Sequence, residues 1–181
     1  MPRGSSRQRR TRRRRLIGRD CPWPGAGRWP TSSSRSAKLT TRIYFETSAF
    51  AKILLEEPDA DRAGAAWNGA DRIVTSLITF TEARAAVAAA ARQGRLAPGD
   101  VAVVGRALER LWRQCDVIEV TRAVVAVAGD LAETRGLGAL DAIHLASMLE
   151  VADDRTVLQT WDRRLAVAAR SMGLVVAGID I

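Results

Sequence analysis

The chain predicts an α/β fold, a central parallel sheet of about four to five strands covered by helices on both faces, and two observations carry that prediction. Short runs rich in Val, Ile, Thr and aromatic residues alternate along residues 42–181 with longer segments of helical period. The punctuation between them is helix-type as well, with Pro58 and Gly94 as stops and Pro98 as a start. The first strand is expected at 42–45 (Arg-Ile-Tyr-Phe). Thr47 and Ser48 are natural caps for a helix running to Glu56, and a second short helix covers 59–69. A strand at 73–75 precedes a long helix at 77–93, and Pro98 opens another that runs to Gln114. Then come a strand at 117–120, helices at 122–135 and 139–151, a strand at 156–160, a helix at 162–172 and a last strand at 174–177.

The 181 residues, 47% of them hydrophobic, suffice for one domain with a real core but not for two. Charge divides the chain. Residues 1–41 hold 11 Arg, Lys38 and a single acid, Asp20, for a net of +11; set against +8 for the whole chain, this leaves −3 for residues 42–181. Arg12 to Arg15, Ser32 to Ser34 and Pro22, Pro24 and Pro30 offer no apolar period, so residues 1–41 read as a basic disordered tail ahead of the domain at 42–181. Three origins of the tail stand open: a nucleic-acid-binding arm, an Arg- and Ser-rich targeting peptide, and an overextended start with translation beginning near Arg42.

Two cysteines, Cys21 and Cys115, are too few for a disulfide framework or a thiolate metal site and fit a reducing cytoplasm. No run approaches the roughly 18 apolar residues of a membrane span, so no membrane partner is expected.

Four acids resist a purely structural reading. Glu46 and Asp162 each directly follow an expected strand, where ligands bind in open parallel sheets. Taken singly, they read as a first-turn acid and a helix N-cap. Glu82 shares a helical face with Ile78, Ala85, Ala86 and Ala89, where a carboxylate is costly unless paired. Asp141 is the only acid in the apolar segment 136–149. Such a helix is buried, and its carboxylate needs a cation, a hydrogen-bond network or a metal. Four acids drawn together would repel one another, and a divalent cation relieves that; hard oxygen donors without a Cys or His pair favour Mg²⁺ or Mn²⁺. The matching chemistry is phosphodiester hydrolysis. No Gly-rich phosphate loop, nucleophile elbow or HExxH motif competes.

The motifs that hold these acids resemble those of the PIN-domain ribonuclease toxins of VapBC-type toxin–antitoxin modules. Tyr44-Phe45-Glu46-Thr47-Ser48-Ala49 is similar to the family's opening motif, and Thr75-Ser76 with Thr81-Glu82-Ala83-Arg84 to its second. Leu140-Asp141-Ala142-Ile143-His144-Leu145-Ala146 resembles the third and Thr160-Trp161-Asp162-Arg163-Arg164-Leu165 the fourth, all in the family's order. The resemblance spans 42 to about 178 and implies a PIN-like three-layer fold. It further implies a Mg²⁺/Mn²⁺-dependent endoribonuclease, a hydrolase, with Glu46, Glu82, Asp141 and Asp162 as catalytic metal ligands and Thr47, Ser48 and Thr160 in support. RNA as substrate, a cognate antitoxin and a homodimer come with it. One departure stands out: Glu46 occupies a position normally held by Asp. The extra methylene moves the carboxylate, and a misplacement of about 1 Å can cost ~100-fold in rate. The alternative is therefore an attenuated PIN-like protein that binds RNA or an antitoxin; a DNA-directed nuclease would share the same metal site.

Among other residues, His144 reads as a packed or hydrogen-bonded helix histidine rather than a general base. Arg163 and Arg164 either touch phosphate, with one favoured for that role, or solvate a helix start. Trp161 reads as core or groove wall, with base stacking as the rival. Leu111 and Trp112 read as core ahead of an interface. Should the tail be translated, full-length protein should bind RNA more tightly than residues 42–181 at low salt, with the difference vanishing as salt rises. Equal binding in a filter-binding titration at low salt would remove the nucleic-acid-arm reading.

Overall fold

The protein is represented by a computed structural model that describes residues 41–180, so the expectation for the basic tail lies, Thr41 aside, outside the described residues. Among the described residues the elements are β1 (Arg42–Phe45), α1 (Thr47–Leu54), α2 (Ala60–Gly69), β2 (Arg72–Ser76), α3 (Ile78–Arg92), α4 (Asp100–Trp112), β3 (Cys115–Ile118), α5 (Arg122–Arg135), α6 (Ala139–Leu149), β4 (Thr156–Thr160), α7 (Arg163–Ser171) and β5 (Val175–Gly178). All strands pair in parallel in the order β3-β2-β1-β4-β5. The α/β expectation holds, at five strands.

Alternation along the strands sorts two cores onto the two faces of the sheet. Ile43, Phe45, Ile73 and Val157 point to one face, where α1 to α4 supply Phe50, Trp67, Val87 and Leu108. Tyr44, Val74 and Leu158 point to the other, under Val124 and Leu131 of α5, Leu145 and Met148 of α6 and Leu165 of α7. Edge-to-face contacts of Phe45 with Phe50 (5.8 Å) and Trp67 (5.1 Å) lock α1 and α2 onto the end of β1. Each such pair contributes about 0.5–1.5 kcal/mol beyond its buried area. Thr75 Oγ1 donates to the Phe45 carbonyl at 2.6 Å, tying the end of β2 to the same point.

Among the described residues β1 lies at the centre of the sheet, the chain winds outward through β2 to β3, then returns to place β4 on the other side of β1. The carboxyl ends of β1 and β4 therefore flank the point where the winding reverses, the position at which open α/β sheets bind ligands.

Three local expectations shift. β3 lies two residues earlier than expected, because Ile73 to Ser76 pair with Cys115 to Ile118 and Leu77 N–H closes onto the Ile118 carbonyl. Glu119 and Val120 are left to lead into Thr121, which caps α5. The cap of α1 is Glu46 rather than Thr47 or Ser48, its carboxylate accepting from Ser48 N–H. On α3 the buried stripe is Thr79, Ala83, Val87 and Ala90, one position round from the face assigned from sequence, so Glu82 flanks the core instead of lying in it.

Gly178, paired with Thr160, has φ +104°, and a Cβ there would run into the Thr160 carbonyl. Replacing Gly178 with Ala is expected to cost about 1–3 kcal/mol, read as a lower urea midpoint with unchanged slope. An unchanged midpoint would show that the β4–β5 edge yields freely.

Candidate active site

Glu46 is the first residue after β1, 6% exposed although ionisable, and three donors hold it. Ser48 N–H (3.0 Å), the Ser48 hydroxyl and the Thr160 hydroxyl (2.9 Å) all converge on Oε2, and Oε1 takes no part. The same hydroxyls tie in the second strand end: Ser48 Oγ accepts from Trp161 N–H (2.7 Å) and Thr160 Oγ1 from Asp162 N–H (3.0 Å). Thus Ser48 and Thr160, expected as supporting residues, hold β1 and β4 at a fixed separation around Glu46. Asp162 caps α7, accepting from Leu165 N–H at 2.8 Å through Oδ1. Its reading as an N-cap is thereby correct, and it places the acid at the mouth of the site.

Glu82 comes in from the first turns of α3. Its Oε2 accepts from the Thr47 hydroxyl (2.6 Å) and lies 2.7 Å from His144 Nε2. Since an ionised carboxylate only accepts, Nε2 carries the hydrogen, which it also directs at Thr47 Oγ1, 3.1 Å away. His144 Nδ1 stands 3.0 Å from the Tyr44 hydroxyl, and both rings are buried. Burial pushes the Glu82 carboxyl up, but the hydrogen bonds from His144 and the Thr47 hydroxyl outweigh it and hold Glu82 below the usual glutamate range. The Tyr44 phenol is raised well above its ordinary value, by burial and then by the negative charge of Glu46, so it keeps its proton to donate.

Asp141 stands half-buried in the first turn of α6. Its carboxyl is raised, by burial first and then by the charges of Asp162 and Glu46, with Glu82 adding and His144 opposing. The three other acids chosen from sequence are thus near enough for their charges to bear on Asp141. Among the described residues no three acid, His or Cys side chains stand in an arrangement that would by itself hold a metal ion. The donor chemistry nonetheless fits a hard divalent cation: carboxylate oxygens dominate, and the one imidazole is committed to Glu82 and Tyr44. Cys115 has no place in the site, and burial with the Asp116 charge pushes its thiol to about 12.

The remaining candidates fall as follows. Arg163 and Arg164 are both exposed in the first turn of α7. Trp161 packs partly against the core, its indole N–H donating to Asp59 (3.3 Å) with Lys52 over its ring. Leu111 packs on the core and Trp112 against Phe80. Sequence reasoning missed Tyr44 and read His144 as a packed or hydrogen-bonded helix histidine, without its partners. Their signal was a polar pair in otherwise apolar stretches, but a partner 100 residues away is invisible to local pattern.

A five-stranded parallel sheet with an acid beyond the end of each of its two central strands, β1 and β4, is a scaffold shared with a known class of nucleases. A family model described as PIN domain matches residues 43–171. The chain is 41% identical to Ribonuclease VapC45 of Mycobacterium tuberculosis (strain CDC 1551 / Oshkosh) over 135 residues, which cover 75% of this chain and 94% of that protein. It therefore belongs to the PIN-domain family, among its VapC-type ribonucleases. Solved structures agree on the fold: VapC20 of M. tuberculosis, described as a sarcin–ricin loop cleaving toxin, superposes with TM-score 0.54 at 21% identity, covering 70% of this chain and 94% of that one. A toxin–antitoxin complex from Klebsiella pneumoniae gives 0.54 at 19% identity, covering 77% and 99%.

The raised Asp141 carboxyl has a consequence for stability. A carboxyl raised in the fold contributes stability below its unfolded value, and that contribution is lost as pH rises through the folded value. At neutral pH Asp141 is thus a net cost to the metal-free protein. The variant Asp141→Asn should melt higher than the parent at about pH 7 in EDTA, with the gap closing as pH falls into the carboxylate range. Melting curves that coincide at both pH values would refute this.

Proposed function

We propose that this chain is a Mg²⁺- or Mn²⁺-dependent endoribonuclease that serves as the toxin of a type II toxin–antitoxin pair, acting in the cytoplasm on RNA. The observation that carries the reading is the convergence of Glu46, Glu82 and Asp162, brought by separate elements, on Asp141, whose carboxyl their charges raise. Likeness to a named ribonuclease over nearly its whole length supports the substrate class. Structural likeness to a toxin–antitoxin complex supports an antitoxin partner, and a homodimer is proposed by family resemblance. Among the described residues no helix is long and apolar enough to cross a membrane.

Glu46, Glu82, Asp141 and Asp162 would hold the cation. When bound it supplies charge neutralisation at the scissile phosphate and activates the attacking water. The chain's own residues do the rest. Ser48 and Thr160 fix Glu46, Thr47 and His144 fix Glu82, and the Asp162 cap fixes its acid at the start of α7. Arg163 and Arg164 are exposed beside Asp162, which supports a backbone-phosphate contact for one of them.

The extra methylene of Glu46 separates this reading from the attenuated one. Three hydrogen bonds on a single oxygen hold the longer arm close to its own backbone, which favours a working ligand. Full-length protein should cut a labelled RNA pool with Mg²⁺ or Mn²⁺, lose cutting in EDTA and in Asp141→Ala, and change by less than ~10-fold in Glu46→Asp. Silence in the parent with ~100-fold or greater gain in Glu46→Asp would make the protein an attenuated binder instead.

A further inference from the structure

The imidazole of His144 is out of keeping with the face it occupies. It is 1% exposed, on a helix whose other buried residues are chiefly Ala142, Leu145, Ala146 and Met148. An apolar side chain would fill that space without the cost of burying two ring nitrogens. Both nitrogens are used, however, and each reaches a different element: Nδ1 meets Tyr44 on β1 and Nε2 meets Glu82 on α3.

Tyr44 is itself an anchor. Fully buried, it cannot swing, and its hydroxyl stands 3.0 Å from His144 Nδ1. Behind it, Ser147 Oγ donates to Ser76 Oγ at 3.1 Å, a second polar tie between α6 and the end of β2. The imidazole is therefore fixed at one nitrogen by the sheet and presents N–H at the other. On Glu82, the His144 N–H and the Thr47 hydroxyl fall on the same oxygen, Oε2. A carboxylate oxygen offers about two lone-pair directions, so Oε2 is filled and Oε1 alone remains to a ligand.

We infer that His144, anchored by Tyr44, is a positioning residue that fills one oxygen of Glu82 and so presents the other, in a single orientation, to a divalent cation. His144 touches neither cation nor RNA and acts through Glu82. The inference rests on the metal-site reading proposed above and adds the residues that set its geometry. Groups that orient a metal ligand through hydrogen bonds typically matter by ~10–100-fold in affinity.

The test is Mn²⁺ binding to the full chain by isothermal titration calorimetry, with melting curves in EDTA to report folding. Loss of Mn²⁺ binding in Glu82→Gln checks the underlying reading. His144→Leu is expected to weaken Mn²⁺ by ~10–100-fold, and Tyr44→Phe by a smaller factor. His144→Gln, which returns an N–H donor, should recover affinity to within a few-fold of the parent. Cleavage by His144→Leu should be deficient at limiting Mn²⁺ and return toward the parent rate at saturating Mn²⁺, a dependence that loss of packing alone would not produce. Should His144→Leu fail to fold, Tyr44→Phe and His144→Gln decide: weakening in the first with recovery in the second supports the inference. Parent-like affinity in His144→Leu or Tyr44→Phe overturns it, as does a His144→Gln variant as weak as His144→Leu. A parent that binds no Mn²⁺, or a Glu82→Gln variant that binds as the parent does, overturns the metal-site reading and this inference with it.

Discussion

Like charges gathered at the end of a sheet push apart, and much of the polar architecture here can be understood as the restraint that push requires. Three of the four carboxylates are held by hydrogen bonds from side chains or helix-end N–H groups around the strand ends. Glu46 takes Ser48 and Thr160, Glu82 takes Thr47 and His144, and Asp162 takes the open N–H groups of α7. Asp141, the least bonded of the four, carries the repulsion as a raised carboxyl. The cost is local and the restraint is not. The hydroxyls that hold Glu46 also hold β1 and β4 together, and the ring that holds Glu82 is anchored in the core by Tyr44. Site and fold are thus stabilised by shared atoms, and a polar residue at the strand ends cannot be altered for one without altering the other.

The fold was legible because its signals are local. A strand buried on both faces reads as an apolar run and a helix reads as a period, and both survive in a single sequence. Every element was anticipated, with errors confined to ends. Those errors have physical causes. β3 slid by two residues because its register is set by Ile73 to Ser76, 42 positions earlier in the chain. Glu46 displaced Thr47 and Ser48 as the cap because the longer side chain folds back onto Ser48 N–H, leaving the Thr47 hydroxyl for Glu82 and the Ser48 hydroxyl for Glu46 itself.

The four acids were legible for a different reason: each was anomalous in its own surroundings. For Glu82 the premise needed correction, since the residue flanks the α3 core stripe; what marks it is its pairing with His144, not burial among alanines. Tyr44 escaped notice, and His144 was read without its partners, because neither alone reveals the other. A tyrosine in a strand and a histidine in a helix are ordinary, and the meaning lies in the 3.0 Å between them. Contacts across 100 residues are what a sequence without a fold cannot supply.

The pairing of β1 with β4 carries one more consequence, in time rather than space. The first strand of the domain is completed by one of the last, and Asp162 follows immediately after it. During synthesis the emerging chain holds Glu46 early but lacks the neighbour that supplies Thr160 until most of the polypeptide has been made. A half-made copy therefore cannot assemble the acid cluster. The topology thereby acts as a timer: β4 and Asp162 must have left the ribosome before the product has the parts it would need to attack RNA.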